Sequence, residues 1–288
     1  MNDKNKLISA YKGTLVPFDL RDRGLLLGDG LFETIAIFNH VPFQLEAHLV
    51  RLEQGGHKLK LPIDRDRINE AIATVIAESP ISHAILRITV TRGSGDRGLL
   101  LPAVPTPTII ASITPWTPLN NKPITLVRSS IKRNESSPIS QIKSLCYLDQ
   151  IMALQEAVEA GYDDAVMLNT NNKVACASSA NIICLYGNRL VTPPVSDGVL
   201  PGIMRDLVLQ DAGSLGFEAC EASLTWGELL AADTVFLTNS VKLVRHVTSI
   251  NLHQWTREAD YVAISIRSKL IERIVAECGA DPVNFLCF

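Results

Sequence analysis

Apolar and polar residues alternate with a period of two in "AILRITVTRG" (84–93), which puts Leu86, Ile88 and Val90 on one face and Arg87, Thr89 and Thr91 on the other. That period predicts a half-buried strand. "TPTIIASITPW" (106–116) predicts a second strand, with proline at each margin. Between 65 and 79 the period becomes helical, with Ile68, Ala71, Ile72, Val75 and Ile76 in step. "PWTPLNNKP" (115–123) breaks both periods and predicts a domain boundary near residue 120. Beyond it, "ITLVRSSI" (124–131) reads as a strand and 145–160 as a helix, with Gly161 as its stop. Short strands follow in "AVMLN", "VACAS", "NIICLY" and "RLVTP". Helices are expected to start near Gly202 and near Trp226. A last strand, "TVFLTNS", precedes a helix around 257–278 with Ala263, Ile266, Leu270 and Ile274 on one face. The pattern is α+β: a small N-terminal α/β domain over 1–118 and a larger C-terminal α+β domain over 122–288.

Composition acts mainly by exclusion. A chain of 288 residues, 47% apolar and 20% charged, is long enough and apolar enough to bury a large core. A net charge of −3 points to neither nucleic acid nor an anionic membrane. "MNDKNKLISAYKG" lacks the apolar core of a signal peptide, and no apolar run approaches a membrane span, so a cytoplasmic protein is expected. The six cysteines, Cys146, Cys176, Cys184, Cys220, Cys278 and Cys287, are scattered without a Cys-x-x-Cys and read as reduced thiols.

Gly93-x-Gly95-x-x-Gly98 follows a strand, as in a dinucleotide fingerprint. The fingerprint needs a helix opening inside it, and "LLLPAVPTP" cannot supply one, so these glycines are read as shaping a loop. No P-loop and no His-Glu-x-x-His occurs, and the histidines do not cluster, so no metal is expected.

Lys143 in "QIKSLCYLDQ" would by itself be an ordinary surface lysine. It stands in a series, however: "GDGLFET" (28–34), "HLVRL" (48–52), "IKSLCYL" (142–148) and "LVTPPVSDGVLPGIMR" (190–205). In this order the series resembles the fold type IV pyridoxal-phosphate enzymes, which include branched-chain aminotransferases, D-amino acid aminotransferases and 4-amino-4-deoxychorismate lyases. "AGYDDAVMLN", "SSANI" and "LTNSVKLV" extend the resemblance over nearly the whole chain.

The resemblance implies pyridoxal 5'-phosphate between the two domains. Lys143 would bond its aldehyde and then move protons at the substrate carbon. Arg51 would bind the phosphate by its fork, unless it is a plain helix-surface arginine. The amides of Ile203 and Met204 would face the phosphate, with Asn239 and Ser240 as further donors. Leu200 would pack on the ring. Tyr147 either bonds the ring hydroxyl or is a core tyrosine.

Cys176 falls where the family carries a glutamate that keeps the ring nitrogen protonated. A thiol is a weak partner and is uncharged near neutral pH. Either activity is lost, leaving a cofactor-binding protein with little catalysis, or the reaction does not demand a fully protonated ring. The second reading favours elimination by an aminodeoxychorismate lyase, which aromatisation pulls forward. Thr34 resembles the lyase pattern. The D-amino acid carboxylate trap of tyrosine, arginine and histidine is here Phe32, Arg97 and Leu99. Thr34 and Arg97 are thus the substrate-side candidates. The expected function is a lyase of folate precursor synthesis giving p-aminobenzoate and pyruvate, with a branched-chain or D-amino acid aminotransferase as the alternative. The resemblance also implies a homodimer with the active site near the subunit interface.

Overall fold

The computed structural model describes residues 7–10, 18–116, 122–255 and 260–282. The expected boundary near residue 120, most of the N-terminal stretch 1–13, and Cys287 lie outside the described residues. Contacts divide the chain into two compact units. The first comprises Met1–Thr117, Ile142–Cys146 and Glu277–Ala280, and the second comprises Pro118–Gln141, Tyr147–Ala276 and Asp281–Phe288.

The first unit contains β1 (Leu7–Ala10), α1 (Arg23–Leu27), β2 (Gly30–Phe38), β3 (Val41–Pro42), α2 (Leu45–Leu59), α3 (Arg65–Glu78), β4 (Ala84–Thr91) and β5 (Thr108–Pro115). Its sheet runs β1-β5-β4-β2-β3, antiparallel except for β1 beside β5. The helix expected over 65–79 is α3, and Asp64 caps it by accepting from the Arg67 amide. Ile68, Ala71, Ile72 and Val75 are its buried residues. The alternation in β4 holds: Leu86, Ile88 and Val90 are buried on the face toward the helices. On the opposite face the register aligns Phe32 with Thr89 and Ile110, and Thr34 with Arg87 and Ser112. Strand β2 is absent from the sequence expectation. It is buried at every position but Thr34, including the charged Glu33, so it shows no period of two.

The stretch 142–146 lies along β2. The Phe32 amide donates to the Lys143 carbonyl (2.9 Å), and the Leu145 amide donates to the Gly30 carbonyl (3.0 Å). Gly30 has to be glycine: a Cβ there would stand 2.7 Å from the Val90 carbonyl oxygen and 2.8 Å from Leu145 Cδ1. The helix expected over 145–160 begins only at Leu148: Leu145 is occupied in pairing with β2, and Tyr147 is the N-cap.

The second unit contains β6 (Ile124–Arg133), α4 (Leu148–Glu159), β7 (Asp164–Asn169), β8 (Val174–Ala177), β9 (Asn181–Tyr186), β10 (Arg189–Thr192), α5 (Ile203–Asp211), β11 (Glu218–Glu221), α6 (Trp226–Leu230), β12 (Thr234–Asn239), β13 (Leu243–Ile250), β14 (His253–Gln254) and most of α7 (Asp260–Cys278). Its sheet runs β11-β10-β9-β12-β13-β6-β7-β8, with β14 beside β13. Strands β13 and β14 separate β12 from the last helix, where the sequence reading placed none. Ala263, Ile266, Leu270 and Ile274 are buried on α7 as expected. One core cluster gathers Leu126, Val166, Ile182, Val235, Leu237 and Val247. A second, of Ala153, Ala157, Ala165 and Met167, lets α4 lie close on the sheet through small side chains, with Cys176 packed against it. No helix begins within Gly93–Gly98, and both Gly93 (φ +82°) and Gly98 (φ +117°) adopt backbone that favours glycine. Among the described residues no helix is long and apolar enough to cross a membrane.

Candidate active site

In the first unit, backbone pairing with β2 fixes Lys143 beside Phe32. The half-buried Lys143 holds its Nζ 4.3 Å from the Phe32 ring centroid. Arg87 Cζ lies 3.9 Å from the same centroid. Thr34 follows Phe32 on this face and pairs in register with Arg87. Arg87 is exposed and was not among the expected residues. Its signal was its place on the polar face of "AILRITVTRG", which could not say that this face meets Phe32. Arg97 is exposed on the loop between β4 and β5.

Arg51 is not a plain helix-surface arginine. It is buried, and its Nε and Nη2 donate to Glu33 Oε1 (2.8 Å) and Oε2 (2.6 Å). His48, one helical turn earlier, places Nδ1 2.7 Å from Glu33 Oε2. Burial alone would push the Glu33 carboxyl up, but the Arg51 guanidinium and His48 reverse this and hold it at about 2. Burial lowers the pKa of His48. The ring is therefore neutral, and because the carboxylate can only accept, Nδ1 carries the proton. The 3.5 Å approach of Arg51 Nη2 to that nitrogen is then a contact, not a hydrogen bond. Glu33 and His48 were both inside quoted motifs, yet only the fold joins them to Arg51.

In the second unit, Gly202 is the N-cap of α5 and no side chain caps that helix. The first turn, with Ile203 half-buried and Met204 buried, presents amides with the positive end of the helix dipole. A Cβ on Gly202 would lie 1.9 Å from Asn181 Oδ1, so only glycine fits this close approach. Asn181 Nδ2 in turn donates to the carbonyl of Leu200 (2.9 Å), fixing the half-buried residue expected to pack on the cofactor ring. The Asn239 side chain is committed locally: Nδ2 donates to the Ser179 carbonyl, and Oδ1 accepts from the amides of Val241 and Lys242. The residue before it, Thr238, has a buried Oγ1 with no hydrogen-bond partner among the described residues. Ser240 and Tyr147 are half-buried, Tyr147 at the N-cap of α4.

Cys176 sits on β8, opposite Met167 of β7. Burial pushes its thiol up, Arg133 acts against this, and Asp164 adds to it. The net direction is upward, so the group is a neutral thiol. Arg133 does not donate to it. Its Nε and Nη2 go to the carbonyls of Gly198 (3.3 Å) and Ser140 (2.8 Å).

These donors suit an organic phosphate. An uncapped helix terminus with a glycine that admits no Cβ, and an orphaned buried hydroxyl, are what a bound phosphate would satisfy. A half-buried lysine suits an aldehyde. Among the described residues no group of His, Cys, Asp or Glu could hold a metal ion.

Residues 30–250 match the family Amino-transferase class IV. A Methanocaldococcus jannaschii protein provisionally named a branched-chain-amino-acid aminotransferase is 32% identical over 234 residues, covering 80% of this chain and 81% of that one. The aminodeoxychorismate lyase of Bacillus subtilis is 26% identical over 274 residues, 92% of each chain. The crystal structure of 4-amino-4-deoxychorismate lyase from Pseudomonas aeruginosa superposes with a TM-score of 0.82 at 29% identity, covering 90% of this chain and 96% of that one. The chain belongs to the class IV aminotransferase family, whose members are pyridoxal-phosphate-dependent enzymes of fold type IV.

Proposed function

We propose that the protein is a 4-amino-4-deoxychorismate lyase, releasing pyruvate and leaving p-aminobenzoate, a folate precursor. The observation that carries this reading is Cys176: a neutral, packed thiol in place of the family's glutamate. Without a carboxylate, the ring nitrogen is less firmly protonated and stores less negative charge. Transamination needs that charge to persist until a proton returns at another carbon. Elimination ends in an aromatic ring, so it demands less.

The substrate side supports the same reading. Aminodeoxychorismate carries two carboxylates, and two arginines, Arg87 and Arg97, serve an anionic substrate. Thr34, in register with Arg87, offers a hydroxyl on the same face.

Pyridoxal phosphate, when bound, supplies an electron sink for charge developing at the substrate carbon. By the family resemblance, Arg51, the first amides of α5 and Ser240 would hold its phosphate, and the orphaned Thr238 hydroxyl would join them. Leu200 would pack on its ring, Tyr147 would bond its hydroxyl, and Cys176 would stand at its nitrogen. Lys143 Nζ removes the proton from the amine-bearing ring carbon. The bond from the ring to the enolpyruvyl oxygen breaks, and the leaving group takes a proton and becomes pyruvate. The exposed Leu25, Leu26, Leu99 and Leu100 support assembly as a homodimer.

The second reading, an aminotransferase, is favoured by the Methanocaldococcus jannaschii relative. A panel of aminodeoxychorismate, branched-chain amino acids and D-amino acids separates the two. The lyase reading expects p-aminobenzoate and pyruvate in equal amounts. Keto acids from amino acids as the main product would assign an aminotransferase. Cofactor absorbance without turnover of any substrate would leave a cofactor-binding protein.

A further inference from the structure

We propose that Arg23 is a positioning residue that latches the loop carrying Arg97, so that Arg97 meets the substrate already ordered. This rests on the reading of Arg97 as a substrate-carboxylate residue.

Arg23 is 4% exposed. Its Nε donates to Asp29 Oδ2 (2.9 Å), an ordinary ion pair. The rest of the fork goes to backbone: Nη1 to the carbonyls of Gly98 (3.0 Å) and Leu100 (3.3 Å), and Nη2 to that of Leu99 (3.4 Å). These carbonyls follow Arg97 directly. Before Arg97, the Arg23 amide donates to the Gly93 carbonyl (2.9 Å). A Cβ on Gly95 would stand only 3.2 Å from Arg23 Cδ, so the loop lies on the arginine's stem. One residue therefore grips both flanks of Arg97.

The grip is itself anchored. Asp29 Oδ2 also accepts from Arg92 Nε (2.8 Å), and Arg92 donates on to the carbonyls of Leu59 and Lys60 at the end of α2. The loop has little packing of its own: Leu99 is 82% exposed and Leu100 is 90% exposed. Within the single chain burial does not order these residues, and the polar latch does. Fixing them in advance removes an ordering cost that substrate binding would otherwise carry.

The test uses the cofactor-loaded enzyme and aminodeoxychorismate, with Arg23→Lys, Arg23→Gln, Arg97→Ala and the double variant Arg23→Lys/Arg97→Ala. Lysine keeps the charge for Asp29 but cannot fork to three carbonyls. Arg97→Ala should raise KM about tenfold to hundredfold. Arg23→Lys should raise KM about tenfold with kcat within about twofold. The double variant should be no worse than Arg97→Ala, since Arg23 acts through it. Amide hydrogen exchange at residues 98–101 should quicken about tenfold in Arg23→Lys, a readout independent of activity. Should Arg23→Gln lose the fold, Arg23→Lys carries the test. Unchanged KM and exchange in Arg23→Lys, or additive effects in the double variant, overturns the latch. Unchanged KM in Arg97→Ala overturns instead the reading of Arg97, and exchange alone then judges whether Arg23 orders the loop.

Discussion

Two positions, the fully buried Glu33 and the half-buried Cys176, meet the same problem with opposite results. Glu33 on β2 is a fully buried carboxylate kept ionised by the Arg51 fork and the His48 ring. Cys176 on β8 also has an arginine in its surroundings, but that arginine is committed to carbonyls, and the thiol stays neutral. An arginine nearby does not by itself maintain an anion; donors aimed at it do. Glu33 is thus held as a charged group by donors aimed at it, and Cys176, which no donor meets among the described residues, stays neutral.

The largest effect is expected at Lys143, the proposed cofactor-binding lysine. Lys143→Ala should abolish the visible absorbance of the lysine-bound cofactor and all turnover, read by spectroscopy and product assay. Turnover at the wild-type level would remove Lys143 from its role.

Glu33→Gln breaks the charged side of the comparison. It leaves the Arg51 cation buried without its anion and should cost about 3–5 kcal/mol of stability, read by denaturant unfolding. The pH dependence has a definite sign. The Glu33 pKa is depressed from 4.5 to about 2 in the fold, so its contribution is complete above pH 4.5 and lost as the pH falls through about 2. His48, also depressed, loses its contribution as the pH falls below 6.5. The glutamine variant should lack the Glu33 portion of this acid sensitivity.

The next two variants probe the proposed phosphate donors. Arg51→Ala should weaken cofactor affinity roughly tenfold to hundredfold, because a charge-assisted hydrogen bond contributes on the order of 1.5–3 kcal/mol. Thr238→Val should weaken it less, by about two- to tenfold, with little loss of stability in the cofactor-free protein, since the hydroxyl has no partner to lose among the described residues. Wild-type affinity in both variants would remove Arg51 and Thr238 from the phosphate's donors.

Much of this was legible in the sequence where one period dominates. "NIICLY" is β9 to the residue, and the α3 and α7 faces are buried as their spacing predicts. Strand β2 was not legible because Glu33 interrupts an apolar run, and its partners lie on another element. Helix α4 starts late because Leu145 pairs with β2, and Tyr147 becomes the N-cap. Lys143 and Arg51 could be found by motif. Arg87, Thr238 and the His48–Glu33–Arg51 cluster depend on register and burial, which no linear spacing encodes.

Cys176→Glu sharpens the comparison most, by adding the missing carboxylate to a site that already has Arg133 in its field. The decisive measurement is the ratio of the transamination half-reaction with amino acids to p-aminobenzoate formation, in wild type and in Cys176→Glu, with the melting temperature taken alongside. The neutral-thiol account predicts wild type turning over aminodeoxychorismate, and a folded glutamate variant in which the ratio rises through faster transamination while lyase turnover changes less. A wild type that transaminates faster than it forms p-aminobenzoate, or a folded glutamate variant with an unchanged ratio, would contradict it.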